Sequence, residues 1–202
     1  IEINDLAIQK LVQSNPQMSD IVIKGNTAFS KNPAVKLDLG GYAKGYALDL
    51  ALVELQKKGV KNALVNIGGN IIALGQHGDK PWRVGIQHPR KPKPMATVDL
   101  LSGWAIGTSG DYQRYFEQAG KRYCHIIDPR SGYPAQSTQA VTVLIPPSPQ
   151  AGVLSDVASK PIFLSAPGER ANAAKMMGVD HYLVVDAEGK VTLSASMNQR
   201  IH

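Results

Sequence analysis

"KLDLGGYAKGYALDLALVELQKKG", residues 36–59, changes its apolar period partway along. "AVKLDL" (34–39) alternates apolar and polar residues and reads as a strand that ends near Asp38. From Tyr42 to Lys58 the positions Ala43, Ala47, Leu50, Ala51, Val53 and Leu55 roughly follow the 3.6-residue repeat of a helix. Gly59 stands where a helix C-terminal cap belongs. Between strand and helix lie Gly40-Gly41, then Lys44 and Gly45. A helix N-terminus carries N–H groups without intrahelical partners and the positive end of the helix dipole. Glycines let an anion approach that backbone, and a lysine one turn in adds a full charge, which is the logic of phosphate binding. "GGYAKG" lacks the spacing and the Gly-Lys-Ser/Thr ending of a Walker A loop. A plain strand-to-helix turn with a solvated lysine stays open beside the cradle.

Outward from this stretch, strands predominate. Upstream, "INDLAIQKLVQS" (3–14) reads as a helix and "DIVIKGNTAF" (20–29) as a short strand. Downstream, "NALVNIG" and "IIALG" form strands joined at Gly68-Gly69-Asn70, a hairpin signal. Strands follow at "WRVGIQ", "ATVDL" and "WAIGTS", and "YQRYFE" and "RYCHIID" flank a second hairpin turn, "QAGK". "QAVTVLI" is a strand, "QAGVLSDVAS" begins a helix, "GERANAAKMMG" is another, and "HYLVVDAEGKVTLS" closes as a hairpin. Helices interspersed among strands of this kind make the class α+β, a mixed and mostly antiparallel sheet with flanking helices. With no repeat, low-complexity tract or linker, the chain reads as a single domain over 1–202.

Three further segments carry chemistry-bearing residues. "VNIGGN" (65–70) brings a glycine pair between apolar strands, where a flat ligand or another backbone can come close, or where the chain simply turns. In "TSGDYQRYF…RYCHIIDPRSGYP" (108–134) His125 falls on a strand, Asp128 precedes the turn at Pro129, and Ser109, Asp111, Tyr112, Arg130 and Ser131 crowd the hairpin ends. Polar density at strand ends is typical of a binding rim, although a lone strand histidine is more often structural. In "LSDVASKPIF" (154–163) Asp156 and Lys160 are four apart and share a helix face, where they can pair. Pro161 is expected to end or kink that helix.

The bulk composition excludes several classes. Among 202 residues, 43% are hydrophobic and 19% charged, which argues against disorder. No apolar run approaches the length of a membrane-spanning helix. The net charge of +6 suits an anionic small molecule, but the basic stretch "HPRKPKP" (88–94) lacks interleaved aromatics and makes a poor nucleic-acid reader. A single cysteine, Cys124, rules out an internal disulfide framework.

Taken in order, "DLGGYAKGYALD", "NIGGN", "TSGDYQRYF", "HIIDPRSGYP" and "SDVASKPIF" resemble the successive motifs of the ApbE family of FAD:protein FMN transferases, from about residue 35 onward. The resemblance implies an ApbE-like, T-fold-like core and an Mg²⁺-dependent enzyme. Such an enzyme cleaves FAD at its pyrophosphate, attaches FMN to a Thr or Ser of a target flavoprotein and releases AMP. It implies that Asp38 and Lys44 contact FAD, with His125 and Ile127 lining the flavin pocket. The metal is implied to be held by the Gly41 carbonyl, Asp156 and Ser159. His125 is the candidate general base for the incoming hydroxyl. A hard, oxygen-ligated Mg²⁺ suits pyrophosphate cleavage. The family's partners are flavoprotein subunits of membrane redox complexes, and its members are periplasmic lipoproteins, so membrane contact is expected through a lipid anchor outside this chain. A FAD pyrophosphatase and a non-catalytic flavin-binding protein are the alternatives. Two departures bear on activity. Lys160 stands where the family carries Thr or Ser, and a shorter segment than usual precedes the core, so part of the pocket is expected to be missing.

Overall fold

The structure, a computed structural model, describes residues 4–202, so Ile3, the first residue of the helix expected at 3–14, lies outside them. The elements run α1 (Asp5–Gln13), β1 (Ile21–Lys24), β2 (Thr27–Ser30), α2 (Ala43–Lys57), β3 (Ala63–Ile67), β4 (Asn70–Leu74), β5 (Trp82–Gln87) and β6 (Pro94–Leu100). Then come β7 (Ala105–Gly110), β8 (Tyr115–Gln118), β9 (Lys121–Cys124), β10 (Thr138–Ile145), α3 (Ala151–Val157), α4 (Ser159–Leu164), α5 (Arg170–Met176), β11 (His181–Asp186), β12 (Val191–Leu193) and α6 (Ala195–Asn198). Six strands form the central sheet in the order β12-β11-β10-β7-β4-β3. Every neighbouring pair in it is antiparallel.

The sheet separates two apolar layers because its strands alternate. On one face Ile72, Val141, Val143 and Val184 pack with Leu48 of α2, Ala151 of α3 and Ile162 and Phe163 of α4. On the other, Ile71, Ile106, Leu144 and Leu183 pack with Val84, Ile86, Val98 and Leu100 of the β5–β6 hairpin and Met197 of α6. Covered on both faces, all eight residues of β10 are buried, which is why Ala140-Val141 and Val143–Ile145 run apolar without alternation.

The glycine pair sets the β3–β4 hairpin. Gly68 and Gly69 both have positive φ (57° and 91°), and Ile67 pairs with Asn70 across a two-residue turn. Helix α2 keeps close to the expected bounds, with Tyr42 and Lys58 as its caps and Gly59 at φ +76° beyond. Several expectations need correction. The segment 34–39 forms no strand: Ala34 lies in a turn, the residues after it pair with nothing in the sheet, and Leu37 and Leu39 stand exposed; alternation had no neighbouring strand to act upon. The stretch 20–29 is a hairpin of β1 and β2 turning at Gly25-Asn26, not one strand. Strand β9 stops at Cys124, so His125 lies just past it. The break between α3 and α4 falls at Ala158, one residue after Val157, whose carbonyl Pro161 cannot satisfy because it has no N–H.

Helices α2 and α3 meet backbone to backbone. A Cβ on Gly152 would lie 2.5 Å from the Gly45 carbonyl oxygen, and one on Gly45 would strike the Gly152 carbonyl. The Asp49 carboxylate of α2 accepts the Gly152 and Val153 N–H groups at 2.7 and 2.9 Å, tying it to the first turn of α3. This contact brings the beginnings of both helices to one place.

Candidate phosphate-binding site

A cavity of about 440 Å³ opens at the junction of α2, the β3–β4 turn, the end of β7, the residues after β9, and α3–α4. Asp38, Gly40, Gly41, Lys44, Gly68, Gln113, Arg114, His125, Ile127, Asp156 and Lys160 line it. Six of the seven residues singled out from the sequence thus meet here, although they lie as far apart as Asp38 and Asp156. The seventh, Ser159, is buried behind the cavity. Its hydroxyl shares a hydrogen bond of 2.7 Å with Ser109 Oγ and donates to the Asp156 carbonyl at 3.1 Å.

The centre of the site is one buried carboxylate between two lysines. Asp156 is 3% exposed. Its Oδ1 accepts from Lys160 Nζ at 3.0 Å and from Lys44 Nζ at 3.3 Å, while its Oδ2 accepts from the Gly45 N–H at 3.3 Å. Lys160 Nζ also donates to the Asp156 carbonyl at 2.5 Å, and Lys44 Nζ to the Gly40 carbonyl at 3.1 Å. The Lys160 chain lies against Gly41, whose missing side chain is what admits it: a Cβ there would fall 2.5 Å from Lys160 Cε. Burial pulls the Lys160 ammonium below the usual lysine range, and the Asp156 carboxylate opposes that shift. At the entrance to α2, Asp38 Oδ1 accepts the Gly40 N–H at 2.6 Å and so shapes the turn that presents the helix N-terminus.

His125 sits at the mouth, where its Nδ1 lies 3.2 Å from the Arg114 carbonyl oxygen. A carbonyl can only accept, so a neutral imidazole making this bond carries its proton on Nδ1 and leaves the Nε2 lone pair free. Partial burial pushes the His125 pKa down, assisted by the nearby charges of Arg114, Lys160 and Lys44, while the Arg114 carbonyl opposes the shift. His125 is expected to titrate below the unperturbed value of about 6.5, and histidine ring NMR shifts followed against pH check it. The folded state holds this proton more weakly than the unfolded chain does. The contribution to stability is therefore complete above the unfolded pKa and lost as pH falls from there through the lower folded pKa; His125→Gln should lessen that acid loss. An inflection at or above the unperturbed value would contradict the assignment.

Arg114, His125 and Ile127 also border a second, more apolar chamber of about 380 Å³ with Tyr115, Phe116 and Tyr123 in its wall. Phe116 and Tyr123 stack there at 5.0 Å between centroids. Residues missed as site residues include Gln113 and Arg114, expected in the strand "YQRYFE" but placed in an irregular link before β8, which begins only at Tyr115. Conversely, Asp111 turns away to a bidentate pair with Arg90 (2.7 and 2.6 Å), and Arg130 pairs with Asp128 at 2.8 Å.

A hard dication such as Mg²⁺ takes about six oxygen ligands. Here both Asp156 carboxylate oxygens and its carbonyl already accept N–H or O–H donors, and the Ser159 hydroxyl is committed to Ser109. Among the described residues no three His, Cys, Asp or Glu side chains converge. The arrangement does not fit Mg²⁺, because an ammonium lies on the carboxylate that would bind it.

Two cations and a glycine-opened helix start facing a cavity, beside an aromatic chamber, have the chemistry that suits a phosphorylated group with a flat apolar part. Comparison narrows the class. A family model described as ApbE family matches residues 3–183, and the chain belongs to that family. It is 40% identical over 198 residues to a FAD:protein FMN transferase of Rhodobacter capsulatus, covering 98% of this chain and 37% of the relative. It is 39% identical over 139 residues to one of Klebsiella pneumoniae, covering 67% of this chain and 42% of the relative. The chain thus spans less than half the length of these two curated relatives. Among solved structures, the ApbE protein from Thermotoga maritima superposes with a TM-score of 0.88 at 30% identity, covering 99% of this chain and 64% of the other. The apo form of the Pseudomonas stutzeri flavinyl transferase ApbE gives 0.80 at 30% identity, covering 99% and 62%.

Proposed function

We propose that this chain carries the flavin-handling core of a FAD:protein FMN transferase. The observation that carries the reading is the pair of adjacent chambers that share Arg114, His125 and Ile127 in their walls. A polar one with Lys44, Lys160 and the start of α2 suits a pyrophosphate, and an aromatic one reached past Arg114, His125 and Ile127 suits an isoalloxazine ring. Family membership and the names of the relatives support the same substrate.

In the proposed reaction, the hydroxyl oxygen of a Thr or Ser on the acceptor flavoprotein forms a bond to the FMN phosphorus. The bond from that phosphorus to the bridging oxygen breaks, and AMP leaves with the electron pair. The hydroxyl proton passes to His125 Nε2, which its Nδ1–H···O=C bond leaves unprotonated. Lys44 and Lys160 offset charge that gathers on the phosphate oxygens, and Arg114 closes the wall between the chambers. Incubation with FAD and an acceptor protein tests the reading: AMP release together with flavin fluorescence retained on the denatured acceptor is expected. AMP release with no labelled acceptor would make the chain a FAD pyrophosphatase, and tight flavin binding with no AMP would make it a binding protein. Acceptors in membrane redox complexes, a periplasmic location and a lipid anchor outside this chain extend the proposal on family resemblance. Among the described residues no helix is long and apolar enough to cross a membrane.

A further inference from the structure

Asp156 is enclosed in a way that decides which cation it serves. Lys160 reaches it from one turn further along the same chain direction and touches both its carboxylate and its carbonyl, at 3.0 and 2.5 Å. Gly41 leaves room for the lysine chain to cross the start of α2, and the Lys160 side chain is 30% exposed, so its ammonium still faces the cavity. Lys44 reaches the same carboxylate oxygen from α2 at 3.3 Å. Three hydrogen-bond donors, two consecutive in α2 (Lys44 and the Gly45 N–H) and one in α4 (Lys160), therefore converge on one buried carboxylate, and two of them are cations. Each oxygen of Asp156 already accepts at least one donor, and the hydroxyl that stands beside Lys160, on the buried Ser159, is engaged with Ser109 Oγ at 2.7 Å.

We propose that the Lys160 ammonium is the built-in cation of this site, with Asp156 anchoring lysine charge instead of a divalent metal ion. The inference rests on the transferase reading for the identity of the anion, a pyrophosphate; the charge arrangement stands on the geometry itself. Lys160 and Lys44, both held by the Asp156 carboxylate, leave the cluster with net positive charge facing the cavity and no metal ion needed to supply it. The consequence is an anion site that works in the presence of a chelator. Lysine binds phosphate as a point charge with three rotatable donors, so the pair can follow an anion without fixed coordination geometry.

Two probes that need no turnover test it. The first is Mn²⁺ alone, followed by the electron paramagnetic resonance of the free ion. The wild-type chain should show no saturable binding. Lys160→Thr, which removes the ammonium and supplies a hydroxyl, should gain it, and adding Asp156→Asn to that variant should abolish it again. The second probe is inorganic pyrophosphate, titrated calorimetrically in EDTA and in Mg²⁺. Wild-type affinity should agree between the two buffers within about twofold, and Lys160→Thr should lose about tenfold or more in EDTA and recover part of it with Mg²⁺. Saturable Mn²⁺ binding by the wild type, or pyrophosphate binding that vanishes in EDTA, would overturn the inference. If Lys160→Thr fails to fold by circular dichroism, the two wild-type measurements decide alone. Pyrophosphate bound in EDTA by a chain that neither binds FAD nor releases AMP would sink the transferase reading and still support the built-in cation.

Discussion

Asp156→Ala should lower the unfolding free energy by about 2–4 kcal/mol in urea titrations and remove pyrophosphate binding with it. Breaking a buried ion pair by deleting one partner typically costs about 3–5 kcal/mol, because a charge is left without its counterpart. The lower figure applies here because Lys44 and Lys160 keep 32% and 30% of their side-chain surface exposed and can partly turn to water. Deletion also frees the Gly45 N–H, which the buried Oδ2 now accepts. The cause can be isolated. Lys160→Met in the Asp156→Ala background should recover more than half of the loss, since the stranded ammonium goes with it. A loss below about 1 kcal/mol in the single variant would mean that the carboxylate holds nothing important together.

The second large effect concerns Gly45. In an isolated helix, alanine is favoured over glycine by about 1 kcal/mol, so propensity alone says that Gly45→Ala stabilises α2. The fold says the reverse. A methyl at Gly45 would enter the backbone of α3 at Gly152 and Val153, and the obstacle is main chain, not a flexible side-chain tip. Forced overpacking of this kind costs about 1–3 kcal/mol, more where backbone must move. Gly45→Ala is therefore expected to destabilise by about 3 kcal/mol. Separating α2 from α3 would also pull Lys44 off Asp156 and weaken pyrophosphate binding about tenfold or more. Gly59→Ala, where no atom lies within 4 Å of the added methyl but φ is +76°, is the comparison that shows strain without a clash. A rise in melting temperature for Gly45→Ala would refute the contact.

Local signals in the sequence carried much of the fold. Helix α2 and the Gly68-Gly69 turn were legible because their periodicity and turn chemistry act within a few residues. The same holds for the β8–β9 hairpin, whose Ala119-Gly120 turn has positive φ at both residues. What failed depends on partners. Residues 34–39 alternate like a strand, yet strand formation needs a neighbour, and the sheet edge at β3 is not offered to them. The β1–β2 hairpin was missed although Gly25, at φ +55°, is the first-position glycine that a type II′ turn uses. Helix α6 is four residues long, too short for periodicity, and its Ser194 cap, which accepts from Met197 N–H, was its sole local mark. In the site, Asp38, Gly41, Lys44, His125, Ile127 and Asp156 were assembled by motif resemblance, not by any distance readable in the chain. Ser159 went astray for a geometric reason. Being next to Lys160 in sequence puts it about 100° around the helix, so that while Lys160 faces the cavity Ser159 faces β7. The pairing of Lys160 with Asp156 was legible from four-residue spacing, whereas Lys44 as its second cation was not.

The cavity wall is gathered from stretches that run from Asp38 to Leu164 and is closed by packing on both sides of β10. No contiguous fragment contains it, so an occupant can bind only after the long-range antiparallel pairings have formed. Ligand affinity is thereby converted into resistance of the whole sheet to opening: at a concentration one hundred times the dissociation constant, an occupant adds about 2.7 kcal/mol to the unfolding free energy. Amide hydrogens of Val141 and Val143, buried strand residues outside the cavity wall, should then exchange with deuterium more slowly when pyrophosphate is bound, although nothing of the ligand reaches them.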